Sequence, residues 1–293
     1  MEINASAVVK LREATGLGMM TCKKALIEAA GDTEKAIENL RKQGQMTAAK
    51  REGRAAKEGK VSIILKGADT LIYEVNSETD FVARNEDFLA FTSALGTILL
   101  EKRPADLQAA YALTSPAFNN QSVEARLLEI IGKIGEKISF RRFKLLSVDK
   151  NSQRTFSYIH GNGRIGVVVV LSANTAAVLD SQPFAELGKD IAMQVAAAKP
   201  LSVDRGNISS AVIEKEKEIY TSQVKMSGKP EKVWEKIVEG KLNKFYNQVV
   251  LLEQQYIKDP EKIVKQRIEE VEKDRNAAIS ISSFIRYELG GEE

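Results

Sequence analysis

The chain has 293 residues, 43% of them hydrophobic, and its 43 basic and 40 acidic residues leave a net charge of only +3. That fits a globular protein of more than one domain and gives no electrostatic case for nucleic acid as the main partner. A single cysteine and a single histidine exclude an internal disulfide, are too few for a Cys/His zinc site, and fit a reducing, cytoplasmic setting.

The opening Met-Glu-Ile-Asn has no signal-peptide character, and the longest apolar runs, such as 165–171, are too short for a membrane span. Residues 1–44 read as a domain of three short amphipathic helices. Ala7, Val8, Leu11 and Ala14 share one face; Cys22, Ala25, Leu26 and Ala29 a second; Thr33, Ala36, Ile37 and Leu40 a third. Gly16-Leu17-Gly18 separates the first two helices, Gly31 closes the second, and Asp32 is a good N-cap for the third. Cys22 reads as a small core residue rather than a reactive thiol. Residues 45–59 read as a charged linker.

The rest of the chain reads as a duplication. Apolar strands at 61–65 and 71–75 flank a Gly67-Ala68-Asp69 turn, a helix with Phe88, Phe91, Leu95 and Ile98 on one face follows, another helix covers about 122–137, and a strand at 139–145 closes the unit. Residues 103–121 carry no clear signal. The second unit repeats the order: a hairpin at 155–171, a helix at about 184–198, and a closing strand at 283–289 that aligns with the first as Ser-Phe-x-Arg-aromatic-x-Leu. Inserted in it, within about 208–250, are two long helical patterns. Val212, Ile219 and Met226 recur every seven residues on one; Trp234, Val238, Leu242, Phe245 and Val249 line the other. Asp259-Pro260 reads as the start of a further helix. The expected class is α+β: a three-helix N-terminal domain, then two similar core subdomains at 60–150 and 151–293. Each has a small antiparallel sheet with helices on one face, and the second carries an inserted antiparallel helical hairpin.

Several motifs suggest chemistry. Gly161-Asn162-Gly163-Arg164-Ile165-Gly166 satisfies the dinucleotide-binding pattern, but a strand follows it rather than a helix, so it reads as a hairpin turn. His160 beside that turn reads as a surface or satisfied histidine rather than a base. The basic run 137–144 mixes Arg, Lys and Phe and suits either RNA or a strand with one wet face. No carboxylate pair stands out, so an enzyme has no candidate centre. Phe81, in Ser77-Glu78-Thr79-Asp80-Phe81-Val82-Ala83-Arg84, poses the sharpest question. It precedes Phe88 by seven residues, which on one continuous helix places both in the core. On the spacing alone the core is the stronger reading; the polar residues on either side are the contrary sign, setting residues 80–84 apart as a short turn with an exposed tip.

Thr79-Asp80-Phe81-Val82-Ala83-Arg84-Asn85-Glu86-Asp87-Phe88 resembles the signature of the elongation factor Ts family. The N-terminal segment is similar to that family's ubiquitin-associated-like domain, and 160–169, 191–200, 227–241 and 283–290 resemble its later blocks in the right order. The resemblance implies a guanine-nucleotide exchange factor for elongation factor Tu, with no catalytic residues, no cofactor and no bound nucleotide of its own. It implies that Thr79, Asp80, Phe81 and Val82 form a wedge that enters the partner's G domain and dislodges Mg²⁺. It also implies that Arg12, Met19, Met20 and Lys23 dock on a partner helix, that Ile134 and Gly135 make a second contact with the G domain, and that His160 faces the partner's outer β domain. No nucleic acid or membrane is expected, and a homodimer or a two-plus-two assembly stays open. Two departures stand out: Gln194 replaces a histidine common in the family, and the chain ends soon after the last strand, without the C-terminal helix of some relatives. RNA binding, carboxylate chemistry and a ubiquitin-type adaptor are the competing readings, and the last leaves the duplicated core unexplained.

Overall fold

The computed structural model describes residues 3–15 and 17–291, so the expected break at Gly16 lies outside the described residues. The protein is α+β and divides into two compact units. One holds the residues up to Ile64, Tyr73–Leu145 and those from Glu288 on; the other holds Leu65–Ile72 and Leu146–Tyr287.

The first unit begins with α1 (Ala5–Thr15), α2 (Met19–Glu28) and α3 (Thr33–Arg51). Val8, Leu11, Cys22, Ala25, Leu26, Ala29, Ala36 and Leu40 form their shared core. Asp32 caps α3 by accepting from the Lys35 amide at 3.1 Å. The helix continues to Arg51 instead of ending near residue 44, so the stretch with neither helix nor strand narrows to 52–57. Residues 46–51 are mostly good helix formers, and tertiary packing explains why Gly44 does not break the run.

A hairpin follows, β1 (Glu58–Lys66) and β2 (Asp69–Ser77), then α4 (Asp80–Ala83) and α5 (Glu86–Lys102). The unassigned stretch 103–121 resolves into α6 (Leu107–Ala112) and β3 (Thr114–Ser115), which pairs antiparallel with β4 (Gln121–Ser122). Phe118 from this stretch stacks on Phe91 at 5.5 Å. Next come α7 (Val123–Ile134) and β5 (Ile138–Ser147), and the sheet order is β1-β2-β5. α3 packs along α7. A Cβ on Gly44 would lie 3.2 Å from the Leu128 carbonyl oxygen, and one on Gly132 would lie 3.1 Å from the Gly44 Cα, so the two helices meet nearly backbone to backbone.

The second unit repeats the plan with β6 (Gln153–His160), β7 (Ile165–Ala173), α8 (Ala176–Leu179) and α9 (Gln182–Ala198). His160 pairs with Ile165 across the Gly161–Arg164 turn, where Gly161, Asn162 and Gly163 all have positive φ. The glycine motif is therefore a hairpin and opens no helix. The inserted hairpin is α10 (Ser210–Met226) and α11 (Trp234–Val249). Its expected seven-residue stripe on α10 is on the wrong line: Val212, Ile219 and Met226 are exposed, whereas Val224 is buried and Ile213 and Tyr220 are partly covered. The Lys241 ammonium of α11 lies over the Tyr220 ring and donates to Gln223 at 2.6 Å. Two adjacent apolar lines run along α10, and the period alone does not say which one α11 covers.

β8 (Gln255–Tyr256) and β9 (Asp259–Ile263) form a two-stranded ribbon before α12 (Val264–Arg275) and β10 (Ile279–Glu288). The helix expected at Asp259-Pro260 thus begins five residues later. Asp259 pairs with Tyr256 across a tight turn, and such a ribbon edge tolerates a residue with no N–H to donate. The second sheet is ordered β10-β7-β6. Val167, Val169, Leu171, Phe184, Leu187, Ile191, Val195 and Val264 are fully buried in its core.

The duplication extends to lengths and caps. α5 and α9 each have 17 residues and end on a left-handed residue, Arg103 or Lys199; α7 and α12 each have 12 and end the same way, on Gly135 or Asn276. A glycine in each long helix, the eleventh residue of α5 and the seventh of α9, makes room for a sheet aromatic. A Cβ on Gly96 would come within 2.5 Å of the Tyr73 hydroxyl, and one on Gly188 within 2.2 Å of the Phe156 ring. Counted from the caps, Phe140 corresponds to Ile281, and both are buried. The sequence likeness of the closing strands is therefore shifted three residues from their structural equivalence.

Candidate functional site

β2 ends at Ser77, and the chain then makes one turn of helix before α5. Thr79 caps that turn, its hydroxyl accepting from the Val82 amide at 3.4 Å. Asn85 caps α5 by accepting from Asp87 and Phe88, which ends α4 and breaks the phase between Phe81 and Phe88. Phe88 is fully buried. Phe81, expected on the same stripe, is 80% exposed. The core reading of Phe81 is overturned by a cap that a seven-residue spacing cannot reveal. Val82 turns inward and is buried, and Asp80 pairs with Arg84 at 3.1 Å on the surface. Of the four expected wedge residues, Asp80 and Phe81 present the outward side chains.

The turn is held from behind by carboxylates. Glu136 accepts from the Thr79 amide at 3.1 Å and from its hydroxyl at 3.0 and 3.1 Å. Glu78 accepts from the Lys137 amide at 2.6 Å and pairs with Arg51 at 2.9 Å and Arg54 at 3.0 Å. The Lys137 amide bond, with Arg54 and Arg51, holds the Glu78 carboxyl down to about 2. The Lys137 ammonium donates to the carbonyls of Glu52 and Arg54, closing the end of α3. Gly135, with φ of 80°, turns the chain out of α7 just before these groups. Ile134, Gly135, Glu136 and Lys137 thus adjoin the turn at 79–83. The sequence reading named Ile134 and Gly135 but missed Glu136, Glu78, Arg51 and Arg54. Nothing in the one-dimensional pattern brings 51–54, 78 and 136–137 together.

The basic run 137–144 is committed to the fold. Glu74 is fully buried and accepts from Arg142 Nε at 2.7 Å, Arg141 at 3.2 Å, Asn76 at 2.9 Å and the Gly290 amide at 2.8 Å. Arg142 is itself buried. A buried carboxylate with these partners is a structural clamp, and two of the cations an RNA site would use are occupied by it.

The family model described as "Elongation factor TS" matches residues 78–291 of the chain. The chain is 45% identical over 292 residues to elongation factor Ts of Prosthecochloris aestuarii, with 99% of both chains covered. It is 44% identical over 293 residues to that of Chloroherpeton thalassium, again with 99% of both covered. Against that of Syntrophotalea carbinolica it is 43% identical over 290 residues, covering 99% of this chain and 94% of the relative. The chain belongs to the elongation factor Ts family. Its place is therefore in translation elongation.

The other residues expected from the resemblance are placed as follows. Arg12 on α1 and Met19, Met20 and Lys23 at the start of α2 are all exposed, Met20 most of all at 74%. Exposed methionines flanked by cations suit an adaptable apolar contact. His160 belongs to the second unit, at the exposed end of β6, where its Nδ1 lies 3.0 Å from the Tyr158 hydroxyl. Gln194 is fully buried; its amide donates to Gln254 and the Gln255 carbonyl and accepts from the Ile257 amide at 2.8 Å. It knits α9 to the β8–β9 ribbon and presents nothing to a partner. Among the described residues no cluster of three or more His, Cys, Asp or Glu is placed to hold a metal ion, and no helix is long and apolar enough to cross a membrane.

Proposed function

We propose that this protein is a guanine-nucleotide exchange factor that acts on elongation factor Tu carrying GDP, with Phe81 as its wedge. The observation that carries the reading is a large aromatic, 80% exposed, on a one-turn helix pinned by Glu78 and Glu136. An exposed Phe on a rigid turn gains little in the free protein and much in a pocket. Asp80 beside it supplies a charge that can leave Arg84 for a partner group. The ring enters the partner's G domain near the nucleotide and disturbs the Mg²⁺ site, so the GDP phosphates lose their counter-charge. Ile134 and Gly135 make the adjoining contact. Arg12, Met19, Met20 and Lys23 dock on a partner helix, and His160 meets the partner's outer β domain. Nucleotide and metal belong to the partner. By linkage, whatever free energy the factor gains by preferring the nucleotide-free partner is lost from nucleotide affinity, and rebinding of GTP releases the factor.

Release of a fluorescent GDP analogue from elongation factor Tu tests this. The wild-type chain should accelerate release, and Phe81→Ala should lose most of that acceleration while keeping its circular dichroism spectrum and melting temperature. A chain that does not accelerate release, or a folded Phe81→Ala variant with the full rate, overturns the reading.

A further inference from the structure

We infer that Glu136 is a positioning residue for Phe81: it fixes the pose of the wedge turn and so sets the rate of nucleotide release. This inference rests on the exchange-factor reading. The turn is only four residues long, Asp80–Ala83, and Glu78 and its cap Thr79 join it to the strand that ends at Ser77. Glu136 grips that cap at both of its donors, the backbone amide at 3.1 Å and the hydroxyl at 3.0 and 3.1 Å. Charge-assisted bonds of this kind are short and directional, so they fix the orientation of the group they hold.

The second unit shows that the fold does not need this grip. There, Ala277 stands where Glu136 stands, one residue after the left-handed cap Asn276 of α12. Thr175 opens the equivalent turn with no side-chain cap bond, and the residue in the place of Phe81 is Ala177. The other half of the joint is kept: the Ala278 amide donates to the Asn174 side chain at 3.0 Å, as the Lys137 amide does to Glu78 at 2.6 Å. The carboxylate at 136 and the aromatic at 81 are thus present together in one copy and absent together from the other. A rigid mount lowers the ordering cost of inserting the ring, which is where preorganisation acts on binding.

The test is a double-mutant cycle on release of a fluorescent GDP analogue from elongation factor Tu, using the full chain. Glu136→Ala should lower the maximal release rate about tenfold, the scale of a lost hydrogen bond to a charged group. The half-saturating concentration should change less. Glu136→Gln should keep most of the rate, because its amide oxygen can accept from the Thr79 amide and its NH₂ can donate to the Thr79 hydroxyl. In a Phe81→Ala background, Glu136→Ala should cost nothing further, since coupled residues fail to add. Thr79→Val, which removes the hydroxyl and keeps the amide, gives a second reading should Glu136→Ala fail to fold. The inference is overturned if Glu136→Ala keeps the full rate, if its loss adds in full to that of Phe81→Ala, or if Glu136→Gln is as damaged as Glu136→Ala. A Phe81→Ala chain that loses activity beside an unimpaired Glu136→Ala chain sinks this inference alone. An unimpaired Phe81→Ala chain sinks the reading of Phe81 as the wedge, and this inference with it; a wild-type chain that does not accelerate release sinks the exchange-factor reading itself.

Discussion

The turn at 79–82 and the turn at 175–178 are one piece of backbone used twice. Each is a helix of four residues that follows a threonine, between a sheet strand and a 17-residue helix, and each buries its valine, Val82 or Val178. They differ in what they show to solvent. The first carries Asp80 and Phe81; the second carries Ala176 and Ala177, both exposed. Since the second copy folds with two alanines, the fold makes no demand for a phenylalanine there. The exposed ring is surplus to packing, and the same comparison identifies Glu136 as surplus. Internal duplication provides a control that a single domain lacks: a position filled differently in two equivalent settings separates what the backbone requires from what a partner requires.

The largest expected effect comes from making the first turn copy the second. Asp80→Ala with Phe81→Ala should cut accelerated GDP release by about a hundredfold, the scale of an interface hot spot near 3 kcal/mol. The melting temperature should stay close to wild type, because neither side chain is buried. Stopped-flow release and a thermal melt on the same preparation check both halves. A chain that melts early would mean that the comparison fails and the ring supports the fold.

The next effect strikes both copies alike. Gly96→Ala and Gly188→Ala each drive a methyl group into a sheet aromatic, at 2.5 Å from the Tyr73 hydroxyl and 2.2 Å from the Phe156 ring. Overpacking of this kind costs about 1–3 kcal/mol. Gly188→Ala should be the worse, because its methyl would come within 2.2–2.5 Å of three Phe156 ring carbons, among them the one attached to the Cβ, whereas the Gly96→Ala methyl meets the far end of Tyr73. Urea denaturation of the two variants gives the order. Equal and negligible losses would show that the two helices lie further from their sheets than the glycines indicate.

Much of this architecture is legible in the sequence because it is periodic. The three N-terminal helices, both hairpins, the long helices and the inserted pair all announce themselves by spacing and by turn residues. What escapes is phase and ends. α3 runs on past Gly44 because a neighbouring helix, unseen in one dimension, fits against that glycine. The stripe on α10 is chosen by α11, so Val224 is buried and Met226 is not. Asp259-Pro260 suits a ribbon turn as well as a helix start. The exposed tip of the turn at 79–83 depends on Asn85 capping α5, and its mount on carboxylates 57 and 59 residues distant in sequence from their amide partners. Phe81 is visible in sequence mainly as part of a recognisable signature, and its exposure is a product of folding.

The smallest expected effect separates the two joints by charge. Glu78 and Asn174 occupy equivalent places, each accepting from the amide two residues after a helix cap, but only Glu78 titrates. Its folded pKa lies at about 2, below the ordinary value of 4.5, chiefly through the Lys137 amide bond, with Arg54 and Arg51 adding to it. A depressed carboxylate stabilises the folded chain fully above its unfolded pKa and loses that contribution as pH falls through the folded value. Stability should therefore decline between about pH 4.5 and pH 2 through this group, in addition to the other carboxylates. Glu78→Gln, which imitates the neutral amide of the second joint, should flatten part of that decline while lowering stability at pH 7 by the lost ion pairs with Arg51 and Arg54. Urea midpoints of wild type and Glu78→Gln across this window decide it. Parallel curves would mean that the arginines and the Lys137 amide hold this carboxylate no more tightly than water does, and that the grip on the wedge turn rests on Glu136 alone.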